Sequence, residues 1–232
     1  NRIKMTENKK YTVLIIDDHP LILASYKRAL DYVSNQDKTI SFIISEASDC
    51  DTGYDKIKEY STSGKNLDIV FLDISLPPSK DGKILSGEDL GLKINELLPS
   101  SKIIVSTTFN DNYRIHSILK SINPDGFLVK NDLIPEDIVI AINAIITDSL
   151  YYSKTVVKLL RKEISNDFLL DKIDRKLLYE LSIGTMMKDL PEVLFLSLAA
   201  VEKRKRHLKQ IFDVQSPYDK ELLLKAKEKG FI

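Results

Sequence analysis

The sequence is poor in cysteine, in long apolar runs and in net charge. Its single cysteine, Cys50, excludes an intramolecular disulfide and fits a reducing cytoplasm. No apolar run approaches the roughly 18 to 20 residues that a membrane-spanning helix needs, and no N-terminal segment has the pattern of a signal peptide. We therefore expect a cytoplasmic protein. With 232 residues, 43% of them hydrophobic, the chain is long enough for one or two domains with a sizeable core.

The formal net charge is zero, but the charges are unevenly distributed along the chain. Residues 150–232 carry 17 lysines and arginines against 12 acidic residues, a net charge of +5 (17 − 12), so residues 1–149 carry −5. An acidic front part and a basic back part suggest a domain that handles metal or phosphate, joined to one that binds nucleic acid. Ordinary variation between protein surfaces is the alternative explanation.

Five apolar, β-rich segments alternate with helical patterns in the first two thirds of the chain. The segments lie at about residues 11–16, 40–47, 69–72, 102–107 and 126–130, and each is followed by a segment with helical spacing. Such alternation predicts a parallel sheet with helices on both faces, which right-handed crossovers make a doubly wound α/β domain. The carboxyl ends of the strands then share one edge, where open α/β sheets bind their ligands.

The strand ends carry residues that suit phosphoryl chemistry. They are Asp17 and Asp18 after the first strand, Asp73 at the end of the third, Thr107 at the end of the fourth and Lys130 at the end of the fifth. Three crowded carboxylates need a cation, and an all-oxygen ligand set favours Mg²⁺. Asp73 would then be the nucleophile that forms an aspartyl phosphate, with a hydroxyl from Thr107 and a positive charge from Lys130 beside it. Taken alone, Asp73 is equally well explained as the cap of a turn.

Two other kinds of site have less support. His19 follows the acidic pair, but the carboxylates already form a site for a hard ion, so we favour a residue at the start of a helix. No histidine, cysteine or serine lies at a strand end beside a base, so a hydrolase triad is unsupported. We therefore expect a protein that is not an enzyme, apart from slow self-dephosphorylation.

Residues 171–232 have helical patterns throughout and contain a basic cluster. Ser197 is a good N-cap for a helix that runs to about Phe212, the second helix of a short helix–turn–helix. The run 203–207 places four formal positive charges at the helix that makes base and phosphate contacts in such motifs, although a solvated charged face is the usual alternative. We predict DNA contacts from Lys203, Arg204, Arg206 and Lys209.

These residues resemble those of two-component response regulators of the LuxR/NarL type. The receiver resemblance rests on Asp17-Asp18, Asp73 followed by Pro77, Thr107 and Gly-Phe-Leu-Val-Lys130, in the order and spacing of that family. The resemblance to the LuxR-type DNA-binding domain rests on Leu177-Leu178, Gly184, the run 194–197, Val201, Leu208 and the run 212–214. Together they cover about residues 11–232.

The resemblance implies a phosphorylation switch that controls DNA binding. A sensor histidine kinase would phosphorylate Asp73, with Mg²⁺ held by Asp17, Asp18, Asp73 and the backbone carbonyl of Ser75. Thr107 and Phe127 would rearrange on phosphorylation, although plain core packing is the favoured explanation for Phe127 from the residues alone. Double-stranded DNA is the second implied partner, bound by a homodimer of the phosphorylated protein.

We predict a five-stranded receiver domain over residues 10–148, a linker over 149–170 and a helix–turn–helix domain over 171–232. The loop 78–87 is longer than the family's, and it either shields the phosphate, meets the kinase or is a neutral insertion. Either Gly82 or Gly87 fits the family's turn glycine in this loop. Four positions of the second domain depart from the family: Met186, Pro191, Ala200 and Glu202. A regulator whose altered helix–turn–helix binds a protein instead of DNA is therefore the alternative function.

Overall fold

A computed structural model of the chain describes residues 8–108, 112–160 and 170–232. The chain divides into two compact units, residues 1–110 with 121–162 and residues 111–120 with 163–232. Part of the predicted linker lies outside the described residues, so the predicted domain boundaries stay a prediction. Within the described ranges, no helix is both long and apolar enough to cross a membrane.

A parallel sheet with flanking helices precedes the C-terminal helices. Its strands are β1 (Lys9–Ile16), β2 (Ile40–Ala47), β3 (Ile69–Asp73), β4 (Lys102–Thr107), β5 (Gly126–Val129) and β6 (Tyr151–Tyr152). The helices in this part of the sequence are α1 (Pro20–Gln36), α2 (Cys50–Ser63), α3 (Gly87–Leu97), α4 (Asn112–Ile122), α5 (Pro135–Ile146) and α6 (Lys154–Leu160), and most of α4 falls in the second compact unit. The strand order is β2–β1–β3–β4–β5–β6, with every pair parallel. The predicted doubly wound α/β fold is confirmed.

The sheet is covered on both faces, which explains its apolar strands. Ile15 of β1 packs in a core cluster with residues of α1 and α5. The next residue, Ile16, faces Gly53 of α2, which also lies against Leu90 of α3. All five residues of β3 are buried. A strand buried on both faces has no polar alternation, and this is why β3 is a continuous apolar run in the sequence.

The sixth strand corrects the prediction of five. β6 pairs with β5 in parallel, with Gly126 opposite Tyr151 and Phe127 opposite Tyr152. The Tyr151 N–H donates to the Asp125 carbonyl at 3.0 Å, and the Ser153 N–H donates to the Phe127 carbonyl at 2.9 Å. A strand of two residues is too short to leave a periodic pattern in the sequence, so it could not be distinguished from a loop.

Four helices form the C-terminal part of the chain around a separate apolar core. They are α7 (Lys172–Ser182), α8 (Leu190–Leu194), α9 (Leu198–Ile211) and α10 (Asp219–Glu228). Their cluster contains Leu177, Leu194, Val201, Leu208 and Leu222, all buried. This is the small all-α domain that the sequence predicted.

The start of α9 follows the predicted N-cap, and α7 is followed by a glycine in the left-handed conformation. Gly184 follows α7 with φ +89°, and the Ser197 side chain accepts a hydrogen bond from the Ala200 N–H at 3.3 Å at the start of α9. Helix α8 has Asp189 as its N-cap and Pro191 as its second residue. Proline is tolerated there because N–H groups of a first helical turn have no intrahelical partner.

Candidate functional site

An acidic pocket lies at the carboxyl edge of the sheet. Asp73 ends β3, Asp17 and Asp18 follow β1, and Lys130 follows β5. The Lys130 ammonium nitrogen lies 2.8 Å from Asp73 Oδ2 and 2.8 Å from Asp17 Oδ2, and all three side chains are nearly inaccessible to solvent. The fold therefore brings these predicted residues together in one site.

The charges of this pocket are compatible with a divalent metal ion. Potential ligand atoms of Asp17, Asp18, His19 and Asp73 lie within 4.8 Å of one another. One ammonium group faces three carboxylates, so the pocket keeps an excess of negative charge. Its carboxylate oxygens are donors that hard cations prefer. The His19 imidazole lies against the Asp18 carboxylate and is 61% exposed, and its backbone occupies the N-cap position of α1.

The Asp73 carboxylate is held through both of its oxygens. Oδ1 accepts a hydrogen bond from the Ser75 N–H at 2.9 Å, and Oδ2 accepts one from Lys130 at 2.8 Å. Burial raises the pKa of Asp73 above its ordinary value, and the hydrogen bond from Lys130 only partly offsets this effect. A buried carboxylate that carries its charge at such a cost is typical of a functional group.

Thr107 and Phe127 occupy the neighbouring strands. Thr107 is the last residue of β4, is fully buried and pairs with Val129, the residue before Lys130. Phe127 lies within β5 and is also fully buried, opposite Val105. Thr107 thus ends its strand beside the acidic pocket, whereas Phe127 is part of the core in this conformation.

Tyr26 belongs to the surroundings of the site, although it is not among the predicted site residues. Its ring stacks on Phe71 with 4.5 Å between ring centroids, and the residue is 1% exposed. Burial raises the pKa of Tyr26, and the nearby carboxylates of Asp17 and Asp73 raise it further. Helical spacing in a sequence can indicate that a ring is buried, but it carries no information about what the hydroxyl faces.

Gly87 approaches the backbone of the Asp73 segment more closely than any side chain would permit. A Cβ atom at this position would lie 1.8 Å from the Asp73 carbonyl oxygen and 2.9 Å from the Ile74 Cα. The Gly87 N–H donates to the Ile74 carbonyl at 3.2 Å. Gly82 has φ +66° with open space around it, so it serves a turn. The two glycines therefore have different roles, one steric and one conformational.

The long loop before α3 is folded on itself. The Ser79 N–H donates to the Ile84 carbonyl at 2.7 Å, and the Ser79 hydroxyl donates to Asp81 at 2.8 Å. Hydrogen bonds from the Lys83 N–H and from Ser79 lower the pKa of Asp81 to about 2. Ile84 is buried, and the Lys80 N–H donates to Asp51 of α2 at 3.2 Å. The loop is thus a compact structure tied to α2.

The predicted DNA-binding residues of α9 fall into two groups, the first of which is exposed. Lys203 and Arg206 are exposed and have no ion-pair partner among the described residues. With Leu198, Ala199 and Glu202 they belong to an exposed strip at helical spacing. This strip lies opposite the buried Val201 and Leu208.

The second group is held by carboxylates of the same domain. Arg204 lies 2.8 Å from Asp171 and 2.7 Å from Asp174, and Lys209 lies 3.0 Å from Asp219. Lys205 also contacts Asp219 at 3.0 Å. These ion pairs connect α9 to the start of α7 and to the start of α10. Sequence reasoning missed them because the partner of Arg204 lies about thirty residues away.

Comparison with known proteins gives relatives over most of the chain, although no protein-family model matches it. The oxygen regulatory protein NreC of Staphylococcus epidermidis is 26% identical over 217 residues, which are 88% of this chain and 92% of NreC. NreC of Staphylococcus aureus is 25% identical over 208 residues, 84% of this chain and 88% of that protein.

Solved structures agree in fold and in domain order. One of them is RcsB from Salmonella enterica serovar Typhimurium, bound to promoter rprA in the presence of the phosphomimetic BeF₃⁻. The match covers 94% of this chain and 99% of the RcsB chain, with a TM-score of 0.63 and 22% identity. The chain has the fold and domain order of a response regulator of the LuxR/NarL type. The isolated REC domain of RcsB matches 65% of this chain with a TM-score of 0.52 and 24% identity. The acidic pocket lies within the receiver fold, and α8 and α9 form the helix–turn–helix.

Proposed function

We propose that the chain is a transcriptional response regulator in which phosphorylation of Asp73 controls DNA binding by α9. The observation that carries the proposal is the pocket in which Asp17, Asp73 and Lys130 meet at the edge of the sheet. The exposed cations of α9 provide the second half, since they suit a phosphate backbone. The relatives support it: NreC is named an oxygen regulatory protein, and RcsB has been solved in complex with DNA.

Phosphorylation would proceed by attack of an Asp73 carboxylate oxygen on the phosphorus of a phosphohistidine. The new P–O bond makes an acyl phosphate, the P–N bond breaks, and the histidine nitrogen of a sensor kinase leaves. Lys130, already at 2.8 Å from Asp73, would pair with a phosphoryl oxygen after transfer. The Thr107 hydroxyl at the end of β4 would donate to another.

Asp17, Asp18, Asp73 and the Ser75 carbonyl would hold Mg²⁺ in this proposal. The excess of carboxylates over ammonium groups in the pocket supports a cation there. When bound, Mg²⁺ offsets the negative charge of the incoming phosphoryl group. The chain's own groups then keep Asp73 oriented, since the Ser75 N–H holds Oδ1.

The acyl phosphate would shift an equilibrium between two conformations of the receiver. Thr107 and Phe127 are the residues that we propose to rearrange, the first toward the phosphoryl group and the second within the core. The phosphorylated form would bind a palindromic site as a homodimer. RcsB dimers on DNA, as solved, are consistent with this arrangement.

Lys203 and Arg206 are our leading candidates for DNA contacts, since both are exposed on the strip of α9. The predicted DNA contacts of Arg204 and Lys209 stay a prediction. DNA contact would require these two side chains to leave their ion pairs with Asp174 and Asp219. We keep residues 10–148 and 171–232 as the proposed receiver and DNA-binding domains. The chain would act in the cytoplasm, as a regulator and not as an enzyme on small substrates.

The experiment is a selection of DNA from a random library with phosphorylated and with unphosphorylated protein. We expect phosphorylated wild type to recover a palindromic sequence, and the Asp73→Asn variant to recover the same sequence weakly with no response to an acyl-phosphate donor. Equal recovery by both proteins would contradict control by Asp73. Failure to enrich any DNA, with no salt-dependent affinity, would favour the alternative in which the helix–turn–helix binds a protein.

A further inference from the structure

The first turn of α9 exposes only apolar side chains. Leu198 is 46% exposed and Ala199 is exposed, whereas Val201 is buried in the domain core. Charged side chains on the exposed strip begin only with Glu202 and Lys203, one turn later. In helix–turn–helix proteins the N-terminal residues of the second helix contact base edges. The part of α9 that would meet the bases therefore offers no hydrogen-bonding side chain in its first turn beyond the Ser197 cap.

Phe195 adds an exposed aromatic ring to this apolar end. It lies in the turn between α8 and α9, is 90% exposed and has φ +54° and ψ +43°. The left-handed conformation at a helix C-terminus usually belongs to glycine, because a side chain is strained there. A glycine would remove both the strain and the exposed apolar surface. Packing within the domain thus does not explain the ring.

We propose that Phe195, Leu198 and Ala199 read thymine methyl groups in the major groove. The thymine methyl is the apolar group that a base pair presents in this groove, and alanine and phenylalanine are among the residues that contact it. Side chains without donors or acceptors cannot pair with the other base edges. The proposal rests on the proposed function, and it specifies A·T pairs within the sequence that α9 recognises.

Double-stranded DNA is the occupant that the charges favour. Lys203 and Arg206 follow the apolar turn on the same exposed strip and would contact phosphates on either side of the contacted bases. An apolar protein partner would leave these two cations without a role.

The test replaces single thymines by deoxyuracil, which removes only the methyl group, in a duplex recovered by the random-library selection. Full-length phosphorylated protein is titrated by fluorescence anisotropy. We expect one or two positions per half-site at which uracil weakens binding about fourfold, the effect of one buried methyl group. The ratio of the two dissociation constants, for the uracil and the thymine duplex, measures this effect. Leu198→Ser and Phe195→Gly should each reduce this ratio towards one.

Two control variants separate methyl recognition from general effects on affinity. Lys203→Ala should weaken binding to both duplexes and keep their ratio, and Ile183→Ser, at a 61% exposed position outside α9, should change neither. Thymine-to-uracil ratios near one at every position of wild type, or ratios unchanged in both apolar variants, would overturn the inference. If the apolar turn binds a protein partner in place of DNA, the first of these results is expected, because removal of a thymine methyl group would then not change DNA affinity. If wild type selects no DNA at all, the proposed function itself fails.

Discussion

Neighbouring cations on α9 should respond in opposite ways to the same substitution. Lys203 is exposed without an ion-pair partner in the described chain, whereas Arg204 lies within 2.8 Å of both Asp171 and Asp174. We predict that Lys203→Met weakens DNA binding and leaves stability unchanged. Arg204→Met should instead destabilise the C-terminal helices, because it removes the counter-charge of a carboxylate that is only 10% exposed.

The expected magnitudes differ enough to be separated. Each phosphate contact contributes about 0.9 to the slope of log K against log salt, so Lys203→Met should reduce the slope by about 0.9 per domain. With Lys203 and Arg206 as the contacts, the wild-type slope is about −1.8 per domain. Burial already raises the pKa of Asp174 with Arg204 present. The loss of Arg204 should lower the free energy of unfolding by about 2 kcal/mol, a value between those typical of exposed and of buried ion pairs.

Two titrations decide the matter. Anisotropy of a labelled duplex at several KCl concentrations gives the slope, and urea denaturation gives the free energy of unfolding for each variant. If Arg204→Met changes the slope without loss of stability, Arg204 is a phosphate contact, contrary to the prediction. An unchanged slope in Lys203→Met would likewise contradict the role of Lys203 as a phosphate contact.

Three further predictions concern single groups. Gly87→Ala should lower the free energy of unfolding in urea by about 3 kcal/mol, because its Cβ would overlap the Asp73 carbonyl, and it should slow phosphorylation by an acyl-phosphate donor. The control Gly82→Ala should lower the free energy of unfolding by only about 1 kcal/mol and leave the rate of phosphorylation unchanged. Phe195→Gly should raise the free energy of unfolding by about 0.5 to 1 kcal/mol through relief of backbone strain, and equal or lower stability would contradict this. Asp219 is partly buried, which opposes its ionisation, but hydrogen bonds from two lysines outweigh this effect and lower its pKa. The ionised Asp219 therefore stabilises the fold at pH values above the pKa of the unfolded state, and this stabilisation disappears as pH falls through the pKa of the folded state. Asp219→Asn should lower the free energy of unfolding by about 1 kcal/mol at pH 7, and the stability difference from wild type should fade below about pH 4.

The sequence was sufficient for the sheet and for the acidic pocket. Strands β2 and β4 have the predicted bounds, because apolar runs and polar breaks define them directly. Asp17, Asp73 and Lys130 meet because parallel strands bring their carboxyl ends to one edge, a consequence of topology alone. Local signals therefore predicted a long-range site, once the alternation of strands and helices was recognised.

The sequence was insufficient where a side chain's partner depends on packing. It suggested Arg204 as a DNA contact, and only the structure reveals that Asp171, the N-cap of α7, and Asp174 within α7 form ion pairs with this side chain. It left Gly82 and Gly87 as equal candidates, since neither backbone angles nor the approach of the Asp73 carbonyl can be derived from residue types. Strand β6 was missed because two residues carry no periodicity.

In the proposed function, phosphorylation of Asp73 controls the DNA affinity of α9. The most direct test of this control is the dissociation constant of one selected duplex, measured for wild type and for Asp73→Asn before and after incubation with an acyl-phosphate donor and Mg²⁺. We expect phosphorylation to shift the affinity of wild type by tenfold or more, about 1.4 kcal/mol, and the donor to leave the affinity of Asp73→Asn unchanged. Equal shifts of the dissociation constant in both proteins would contradict this control. So would an unchanged dissociation constant for wild type in which mass spectrometry verifies the acyl phosphate.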